Sequence, residues 1–408
     1  MNSLTFLIEN RRFLAFGLAC TLVSNFGQTF FIALFGDHVR AEFNLSHGDF
    51  AAIYGLATLV SAAIILWAGR QIDKVDLRLY TSVVLAGLSV SAGVFALSTG
   101  PLVLGLAFVG LRLFGQGLLR HTAVVSMARY FDAARGRAVS VVGLGYPIAE
   151  ATFPALLVIL LASLSWREAW GVFALYVGVL HLPLVLWLLK GHGVRHAKLE
   201  KKLKESGDDD APLTQRALLA DWRFVTIVPA ALMGPFVMTG IFFHQLALAD
   251  AKGWTMELLA ASFPVFAAST VITNLITGWL VDRQGPGRIL PVFVLPIGLC
   301  LLVIATMDQT WSVPLYMMLG GLTVGSSSVL ISAAWAETYG VRHLGTIRSL
   351  TSSLAVVSTA LAPVLVGELL DIGTNFSAIA FGAAALVFAS AVLILAPAKR
   401  LREEATQA

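Results

Sequence analysis

Long apolar stretches separated by short polar gaps run along almost the entire chain. A helix needs about 20 predominantly apolar residues to cross the hydrocarbon core of a bilayer, and stretches of that length occur about 12 times here. The pattern therefore predicts an all-α polytopic membrane protein. The predicted spans lie near residues 12–36, 49–69, 79–99, 101–126, 138–163, 168–189, 223–249, 257–281, 289–308, 312–336, 344–371 and 374–397.

The composition favours a membrane protein over a soluble one. Hydrophobic residues make up 57% of the 408 residues and charged residues only 13%, so a soluble fold could not cover its surface with polar groups. The first apolar run, residues 13–35, follows Arg11 and Arg12 and is too long for the core of a cleavable signal peptide. Cys20 and Cys300 both lie inside apolar runs, and we expect them to be packed, reduced thiols.

Lysine and arginine residues concentrate in alternate gaps between the spans, which indicates the orientation of the chain. Basic residues near the ends of spans favour the cytoplasmic side. The gaps assigned to the opposite side hold only Arg40, Arg167 and Lys252. We therefore expect a multi-pass protein of a bacterial inner membrane with both termini cytoplasmic. Besides the central loop, the cytoplasmic gaps hold Arg11, Arg12, Arg70, Lys74, Arg78, Arg129, Arg135, Arg137, Arg283, Arg288, Arg342, Arg348, Lys399, Arg400 and Arg402.

One long polar segment, residues 190–222, divides the chain. It carries a group of lysines followed by Asp208, Asp209 and Asp210. A charge run of this kind is typical of a solvated segment, and a regulatory or partner-binding role is the open alternative. We predict a six-helix half at 1–189, a cytoplasmic linker at 190–222 and a second six-helix half at 223–408.

The two halves share sequence features at a constant offset of 209 residues. Gly69-x-x-x-Asp73-Lys74 recurs as Gly278-x-x-x-Asp282-Arg283. The repeat indicates two parallel copies of six spans, related by an axis along the membrane normal. The same offset also relates Gly136 to Gly345, Ser140 to Ser349 and Pro154 to Pro363.

These loop residues, with the Gly110-x-Arg112-x-x-Gly115-x-Gly117 pattern of span four, resemble the major facilitator superfamily over essentially the whole chain. The resemblance implies a fold of twelve helices in two pseudo-symmetric bundles. It also implies alternating access, with two loops that latch the halves on the cytoplasmic side when the cavity faces outward. The gate residues implied are Gly69, Asp73, Lys74, Gly278, Asp282, Arg283 and Gly285.

A finer resemblance is to the monocarboxylate and oxalate–formate branch of that superfamily. Ala128-Arg129-Tyr130-Phe131 and Trp166-Arg167 carry it, and it implies a monocarboxylate-like substrate. The branch usually places a cation deep in span eight or eleven. Here residues 263–278 are uncharged, and Arg348 lies near the predicted mouth of span eleven.

Three charged residues fall inside predicted spans. Arg112 lies near the middle of span four, Arg120 two turns further on, and Glu150 at a similar depth in span five. On a regular α-helix the two arginines approximately share a face, and Glu150 is within reach of either one. A charge at this depth is expensive unless it is paired or faces water. Two interpretations stay open: a permanent salt bridge between the spans, or a proton and anion site.

Uncharged polar residues extend the candidate pathway. His244 in span seven is either a hydrogen-bond donor to substrate or a packing histidine. Asn25 and Gln28 share a face of span one, as do Thr270, Thr273, Asn274 and Thr277 of span eight, and either cavity lining or interhelical hydrogen bonding explains them. The remaining pathway candidates are Gln245, Tyr54, Tyr146 and Trp335.

The combined pattern predicts a monomeric secondary carrier for a small organic anion. We expect a midplane cavity between the halves, substrate bound near Arg112 or Arg120, and proton coupling through Glu150 as an open option. The alternative is a drug or metabolite exporter driven by proton antiport. No metal-ligand spacing, nucleic-acid module or catalytic constellation is evident in the sequence, so we expect no metal, cofactor or enzymatic activity.

Overall fold

The computed structural model describes residues 3–73, 75–131, 135–191, 193, 215–340 and 344–407. Lys74 and most of the predicted linker lie outside the described residues. Every regular element in the described ranges is a helix, as the apolar pattern predicts.

The helices follow one another with short connections. Up to residue 191 they are α1 (Ser3–Val23), a 3₁₀ turn (Ser24–Gly27), α2 (Thr29–Ala33), α3 (Gly36–Phe43), α4 (His47–Ala68), a 3₁₀ turn (Gly69–Asp73), α5 (Leu77–Ala96), α6 (Pro101–Gly110), a π-helix (Leu111–Leu119), α7 (Arg120–Tyr130), α8 (Arg135–Gly143), α9 (Gly145–Leu161), α10 (Trp166–Leu175), a π-helix (Tyr176–His181) and α11 (Leu182–Leu188). From residue 215 they are α12 (Gln215–Ala220), α13 (Trp222–Phe243), α14 (Gln245–Lys252), α15 (Met256–Gln284), α16 (Pro286–Ile289), α17 (Leu295–Thr306), α18 (Ser312–Tyr339), α19 (Leu344–Asp371), α20 (Phe376–Leu393) and α21 (Leu395–Gln407).

Ten helical segments among the described residues are long and apolar enough, by length and composition, to cross a membrane. The first predicted span is absent from these ten: α1 includes Glu9, Arg11 and Arg12 in its first half and ends at Val23. The ninth is represented by the 12-residue apolar helix Leu295–Thr306. The prediction of an all-α polytopic protein is confirmed, and the predicted count of twelve spans is consistent with these elements.

The chain divides into two compact units. Their division is not only at the predicted linker, because one short segment of the first half belongs to the second unit. The first contains the described residues of Met1–His38 and Leu56–Asp210, and the second those of Val39–Gly55 and Ala211–Ala408. The segment Val39–Gly55 thus packs with residues that follow it by more than 150 positions. The predicted boundaries at 189 and 223 remain a prediction about the two sequence repeats.

The first unit has an aromatic core where its first span is interrupted. Phe26 stacks on Phe153 and Phe173, with ring centroids 5.2 and 4.9 Å apart. Phe31 and Trp170 meet edge to face at 5.8 Å. Offset and edge-to-face pairs of this kind add to the energy of apolar burial, so this core supports a segment that lacks regular helical hydrogen bonds.

In the second unit, glycines let α4 and α19 approach closely. A Cβ on Gly55 would lie 2.8 Å from the carbonyl oxygen of Ala360, and one on Gly367 would lie 2.8 Å from that of His47. Small residues permit such backbone contact between membrane helices. The first two turns of α4 therefore pack directly against the backbone of α19.

Candidate functional site

The first span is broken between residues 24 and 28. Gln28 is extended, with φ −82° and ψ 148°, between the 3₁₀ turn and α2. Gly27 allows the break to sit against the π-helix, because a Cβ there would collide with the carbonyl oxygen of Leu111 and lie 3.0 Å from the Cα of Gly115. Broken membrane helices expose backbone carbonyls that need donors from neighbouring elements.

Arg112 supplies such a donor. Its side chain is 3% exposed, and its Nη1 donates to the carbonyl of Gly27 at 3.3 Å and to the Thr29 hydroxyl at 3.4 Å. The predicted alternatives for Arg112 were an ion pair with span five or a binding site. The structure gives it two partners in span one, Gly27 within the break and Thr29 at the start of α2.

Arg120 lies in a different environment, because the stretch Leu111–Leu119 is π-helical and changes the angular relation between the two arginines. The side chain of Arg120 is exposed at the protein surface. Its guanidinium carbon lies 4.9 Å from the ring centroid of Tyr146. The predicted common face of Arg112 and Arg120 assumed a regular α-helix, and the π-helix departs from it: one side chain is internal and the other is exposed.

Glu150 completes a cluster with Arg120 and Tyr146. Tyr146 and Glu150 are four residues apart on α9 and share a face, and Glu150 is partly buried. Arg120 lies over the ring of Tyr146, so its guanidinium is near the face of α9 that carries Glu150. The structure thus brings together three predicted residues, Arg120, Tyr146 and Glu150, in an arrangement with a cation, an aromatic face and a carboxyl group.

Asn25 and Gln28 lie within the break rather than on one face of a regular helix. The Asn25 amide donates to the carbonyls of Thr21 and Leu22 at 2.9 and 3.2 Å. Its buried Oδ1 has no hydrogen-bond partner among the described residues. The main chain of Gln28 bridges the break, donating to the Asn25 carbonyl and accepting from the amides that begin α2.

Tyr54, His244 and Gln245 are internal to the second unit. Tyr54 is fully buried and packs on Phe243 with ring centroids 4.7 Å apart. His244 is 4% exposed, and its Nε2 donates to the carbonyl of Pro363 at 2.9 Å. Since a carbonyl can only accept, this contact requires a hydrogen on Nε2. Gln245 is completely buried.

A carboxylate in the same unit holds the start of α4. Asp371, the last residue of α19, accepts from the backbone N–H of His47 at 3.0 Å and of Gly48 at 2.7 Å. A helix N-terminus favours an anion, because its first N–H groups are unsatisfied and its dipole is positive there. We call the contacts of His47, Gly48, Gly367 and Asp371 the Asp371 clamp. No sequence pattern pointed to it.

Asn274 and Trp335 have partners within the second unit. The Asn274 amide donates to the Gly325 carbonyl at 3.2 Å and to the Ser328 hydroxyl at 3.1 Å. Trp335 is 1% exposed and stacks on Phe224 at 5.2 Å. The structure therefore provides interhelical bonding for Asn274 and core packing for Trp335, and a pathway role for either stays a prediction.

The first loop repeat is held by donors from its own unit. His121 Nε2 donates to the Gly69 carbonyl at 3.1 Å, and Arg129 donates to the Ile72 carbonyl at 3.1 Å. These bonds satisfy carbonyls at a helix C-terminus, where cations are also favoured. Of Asp73 only the backbone is described, at the end of the 3₁₀ turn.

The second loop repeat has a different local structure. Gly278, Asp282 and Arg283 all lie within α15, which continues to Gln284. Gly285 ends the helix with φ 71°, a conformation that favours glycine. Asp282 is exposed, and Arg283 stacks over Trp279 at 4.2 Å. The sequence repeat thus ends one span in a 3₁₀ turn and the other in a glycine-terminated α-helix.

Comparisons with known proteins agree with this architecture. The model of the Major Facilitator Superfamily matches residues 17–363. The chain is 25% identical over 365 residues to a gentisate transporter of Corynebacterium glutamicum, covering 87% of this chain and 80% of that protein. It is 26% identical over 397 residues to human monocarboxylate transporter 11, covering 89% and 76% respectively.

Solved structures match over nearly the full length. A bacterial homolog of the human lysosomal transporter Spinster, in an inward-facing and occupied conformation, aligns with a TM-score of 0.64 at 15% identity, covering 97% of this chain and 96% of that one. The inward-facing and unoccupied form aligns with a TM-score of 0.59. At this identity the likeness establishes the fold. With the family match across most of its length, the chain is a multi-pass membrane transporter that belongs to the Major Facilitator Superfamily.

Proposed function

We propose that this transporter is a secondary carrier for a small organic anion, working by alternating access, and that Arg120 holds the carboxylate of the substrate. The membrane is a bacterial inner membrane with both chain termini in the cytoplasm, as the distribution of basic residues favours. Glu150 is the proposed proton-exchanging group beside the anion site.

The exposed guanidinium of Arg120 is the observation that carries this proposal. Arg120 lies in the helical segment Pro101–Tyr130, ten residues before its end, which corresponds to roughly 15 Å of helix. A charged side chain at that depth is costly in lipid and is tolerated where it meets water or a partner. Arg120 is exposed at the protein surface and stacks on Tyr146. Its charge is therefore more stable in an aqueous pathway than in lipid.

The chemistry of this cluster fits a carboxylate ligand. Guanidinium groups bind carboxylates through two parallel charge-assisted hydrogen bonds. The ring of Tyr146 beneath Arg120 restricts the guanidinium and offers an apolar face to the body of the substrate. The two relatives named above are a transporter of gentisate and a monocarboxylate transporter, and gentisate and monocarboxylates are both carboxylate anions.

Glu150 supplies a route to proton coupling. A carboxylate substrate and the Glu150 carboxylate compete for the positive charge of Arg120, because both are anions near the same cation. Binding of the substrate therefore favours protonation of Glu150, and release of the proton favours release of the substrate. This reciprocal effect is a coupling free energy between the two sites.

A ligand-stabilisation experiment tests the substrate class. Purified wild-type protein, Arg120→Gln and Arg120→Lys are melted with gentisate, benzoate and lactate, and separately with the lipophilic cation tetraphenylphosphonium. We expect the carboxylates to raise the melting temperature of the wild type, Arg120→Lys to respond less, and Arg120→Gln not to respond. Stabilisation by the cation alone would instead favour the drug-exporter alternative.

A further inference from the structure

A basic cleft lies where the first and sixth spans end, away from Arg120 and Glu150. It is about 390 Å³ in volume and is formed by the N-terminal part of α1 and the residues that follow α11. The helical segment Trp166–Leu188 ends beside it, and the apolar run of span one begins at Phe13. The end of the one apolar segment and the start of the other place the cleft at the boundary between bilayer and water. Its lining residues are Ile8–Phe13 and Leu188–Gly191.

Arg12 is fixed in this cleft. Its Nη2 donates to the carbonyl of Trp187 at 2.6 Å, and its guanidinium carbon lies 4.9 Å from the centre of the Trp187 ring. This carbonyl, in the last turn of α11, also accepts from the backbone N–H of Lys190 at 3.1 Å. Because the planar guanidinium is held at one edge, its other N–H groups have a defined direction before any ligand binds.

Two further cations lie in the same cleft. The side chains of Arg11 and Lys190 are exposed and make no hydrogen bond or ion pair with other residues in the described part of the chain. Glu9 is the one carboxylate in the lining. The lining therefore carries three positive charges against one negative charge, an excess that attracts an anion.

The apolar surroundings indicate where that anion comes from. Ile8 is 53% exposed and Trp187 is 52% exposed. Tryptophan is enriched where membrane proteins cross the lipid headgroup level, and basic clefts between membrane helices on the cytoplasmic side bind phosphate-bearing headgroups. A small water-soluble anion would not bury the adjoining apolar side chains, whereas the acyl chains of a lipid would pack on them.

We propose that this cleft binds the headgroup of an anionic phospholipid, with Arg11, Arg12 and Lys190 around the phosphate. Arg12 positions the phosphate through its fixed guanidinium. Arg11 and Lys190 contribute charge, and the exposed Ile8 and Trp187 contact the apolar part of the lipid. This site is independent of the proposed transport site, because it uses none of the same residues.

Delipidated protein in detergent provides the test. Phosphatidylglycerol is titrated into wild type, into Arg11→Gln/Lys190→Gln, and into the charge-matched control Arg70→Gln/Arg78→Gln, whose side chains are exposed at another span end. Bound lipid is counted by native mass spectrometry. We expect saturable binding in the wild type and the control, and an affinity lower by about 10- to 30-fold in the first variant. Melting curves without lipid establish that each variant is folded, and single variants replace any double variant that is not.

Two further ligands separate the sources of phosphate. Phosphatidylcholine has no net negative charge, and we expect it to bind equally and weakly to all three proteins. Soluble glycerol 3-phosphate carries an anionic phosphate, as a monoester rather than the diester of the lipid, without acyl chains, and we expect it not to compete at the lipid's concentration. Equal phosphatidylglycerol binding by wild type and Arg11→Gln/Lys190→Gln would overturn the proposal. So would glycerol 3-phosphate binding as tightly as the lipid, because that result would assign the cleft to a soluble anion.

Discussion

Arg112 donates a hydrogen bond at 3.3 Å to the backbone carbonyl of Gly27, at the break in the first membrane helix. This contact separates two arginines that are only eight residues apart in the sequence. Arg112 is internal and replaces a helical hydrogen bond that the break removes, whereas Arg120 is exposed and stacks on Tyr146. Replacing Arg112 is therefore expected to affect stability, whereas replacing Arg120 is expected to affect substrate binding.

Arg112→Met should reduce stability. The methionine fills part of the volume but leaves the Gly27 carbonyl and the Thr29 hydroxyl without this donor, which costs about 1–3 kcal/mol for a buried acceptor. The melting temperature in detergent measures this loss. Arg120→Gln is the matched control, because its exposed side chain bonds no backbone break, and it should melt close to the wild type. Equal melting of Arg112→Met and the wild type would contradict the structural role of Arg112.

Glu150→Gln should uncouple transport from the proton gradient. Glutamine keeps the size and hydrogen-bonding capacity of the side chain but cannot exchange a proton. We expect net uptake by the variant to be insensitive to an imposed pH gradient, while exchange of internal for external substrate at equal pH continues. Both rates are measured in proteoliposomes. A variant whose uptake still follows the gradient as in the wild type would show that another group carries the proton.

Asp371→Asn should weaken the clamp on α4. The amide can accept from one N–H, but its own NH₂ group opposes the second, and the favourable charge at the helix N-terminus is lost. The effect is on the order of 1–2 kcal/mol, which corresponds to a population shift of about 5- to 30-fold. Alternating access requires one set of end contacts to open, so the clamp is expected to stabilise one state of the carrier.

A buried reporter cysteine measures that shift. Ala51 lies in α4 close to the clamp and is completely buried, so Ala51→Cys in a background without Cys20 and Cys300 should react slowly with a thiol reagent. Adding Asp371→Asn should accelerate labelling, whereas adding Glu257→Gln, an exposed carboxylate in the first turn of α15, should not. Unchanged labelling with Asp371→Asn would mean that the clamp does not bias the conformational equilibrium.

We expect the stabilisation that Asp221 gives to the start of α13 to depend on pH. Its carboxylate accepts from the Arg223 side chain at 2.8 Å and from the Arg223 backbone N–H at 2.9 Å, and the side-chain bond lowers the pKa of Asp221. Because folding lowers this pKa, the ionised carboxylate stabilises the folded state above the ordinary value of about 3.9. That contribution is lost as the pH falls through the lower folded pKa.

Asp221→Asn isolates this effect, since asparagine still caps the helix but carries no charge. At neutral pH the wild type should be more stable by on the order of 1 kcal/mol. The difference between the two melting temperatures should shrink as the pH is lowered from 5 toward about 3. A difference that stays constant across this range would show that the charge of Asp221 is not what stabilises the helix.

The membrane spans were predictable because long apolar runs have few alternative structures in a protein this hydrophobic. Trp222–Phe243 and Ser312–Tyr339 begin within one residue of their predicted starts. Glu150 and Arg120 were also identified from the sequence, because charges inside apolar runs are rare. The sequence left Glu150 two possible partners, and the contact of Arg120 with Tyr146, one turn before Glu150 on α9, favours Arg120 over Arg112.

The irregular backbone could not be predicted. Placing Arg112 and Arg120 on one face assumed a period of 3.6 residues, and the π-helix Leu111–Leu119 departs from that period. The break after Val23 depends on Gly27 meeting Gly115 from another helix, a contact between residues far apart in sequence. Asp371 reads as a polar residue at a span end, and its role depends on the N–H groups of His47 and Gly48, which share no sequence pattern with it.

Counterflow of labelled gentisate and lactate in proteoliposomes tests the central claim most directly. Vesicles that are loaded with unlabelled substrate and contain wild type, Arg120→Lys, Arg120→Gln or Arg112→Met are compared at equal amounts of folded protein. We predict exchange by the wild type, slower exchange by Arg120→Lys, and a loss of at least about tenfold in Arg120→Gln, while folded Arg112→Met still exchanges. Wild-type exchange of these carboxylates by Arg120→Gln would contradict the assignment of Arg120 as the anion site.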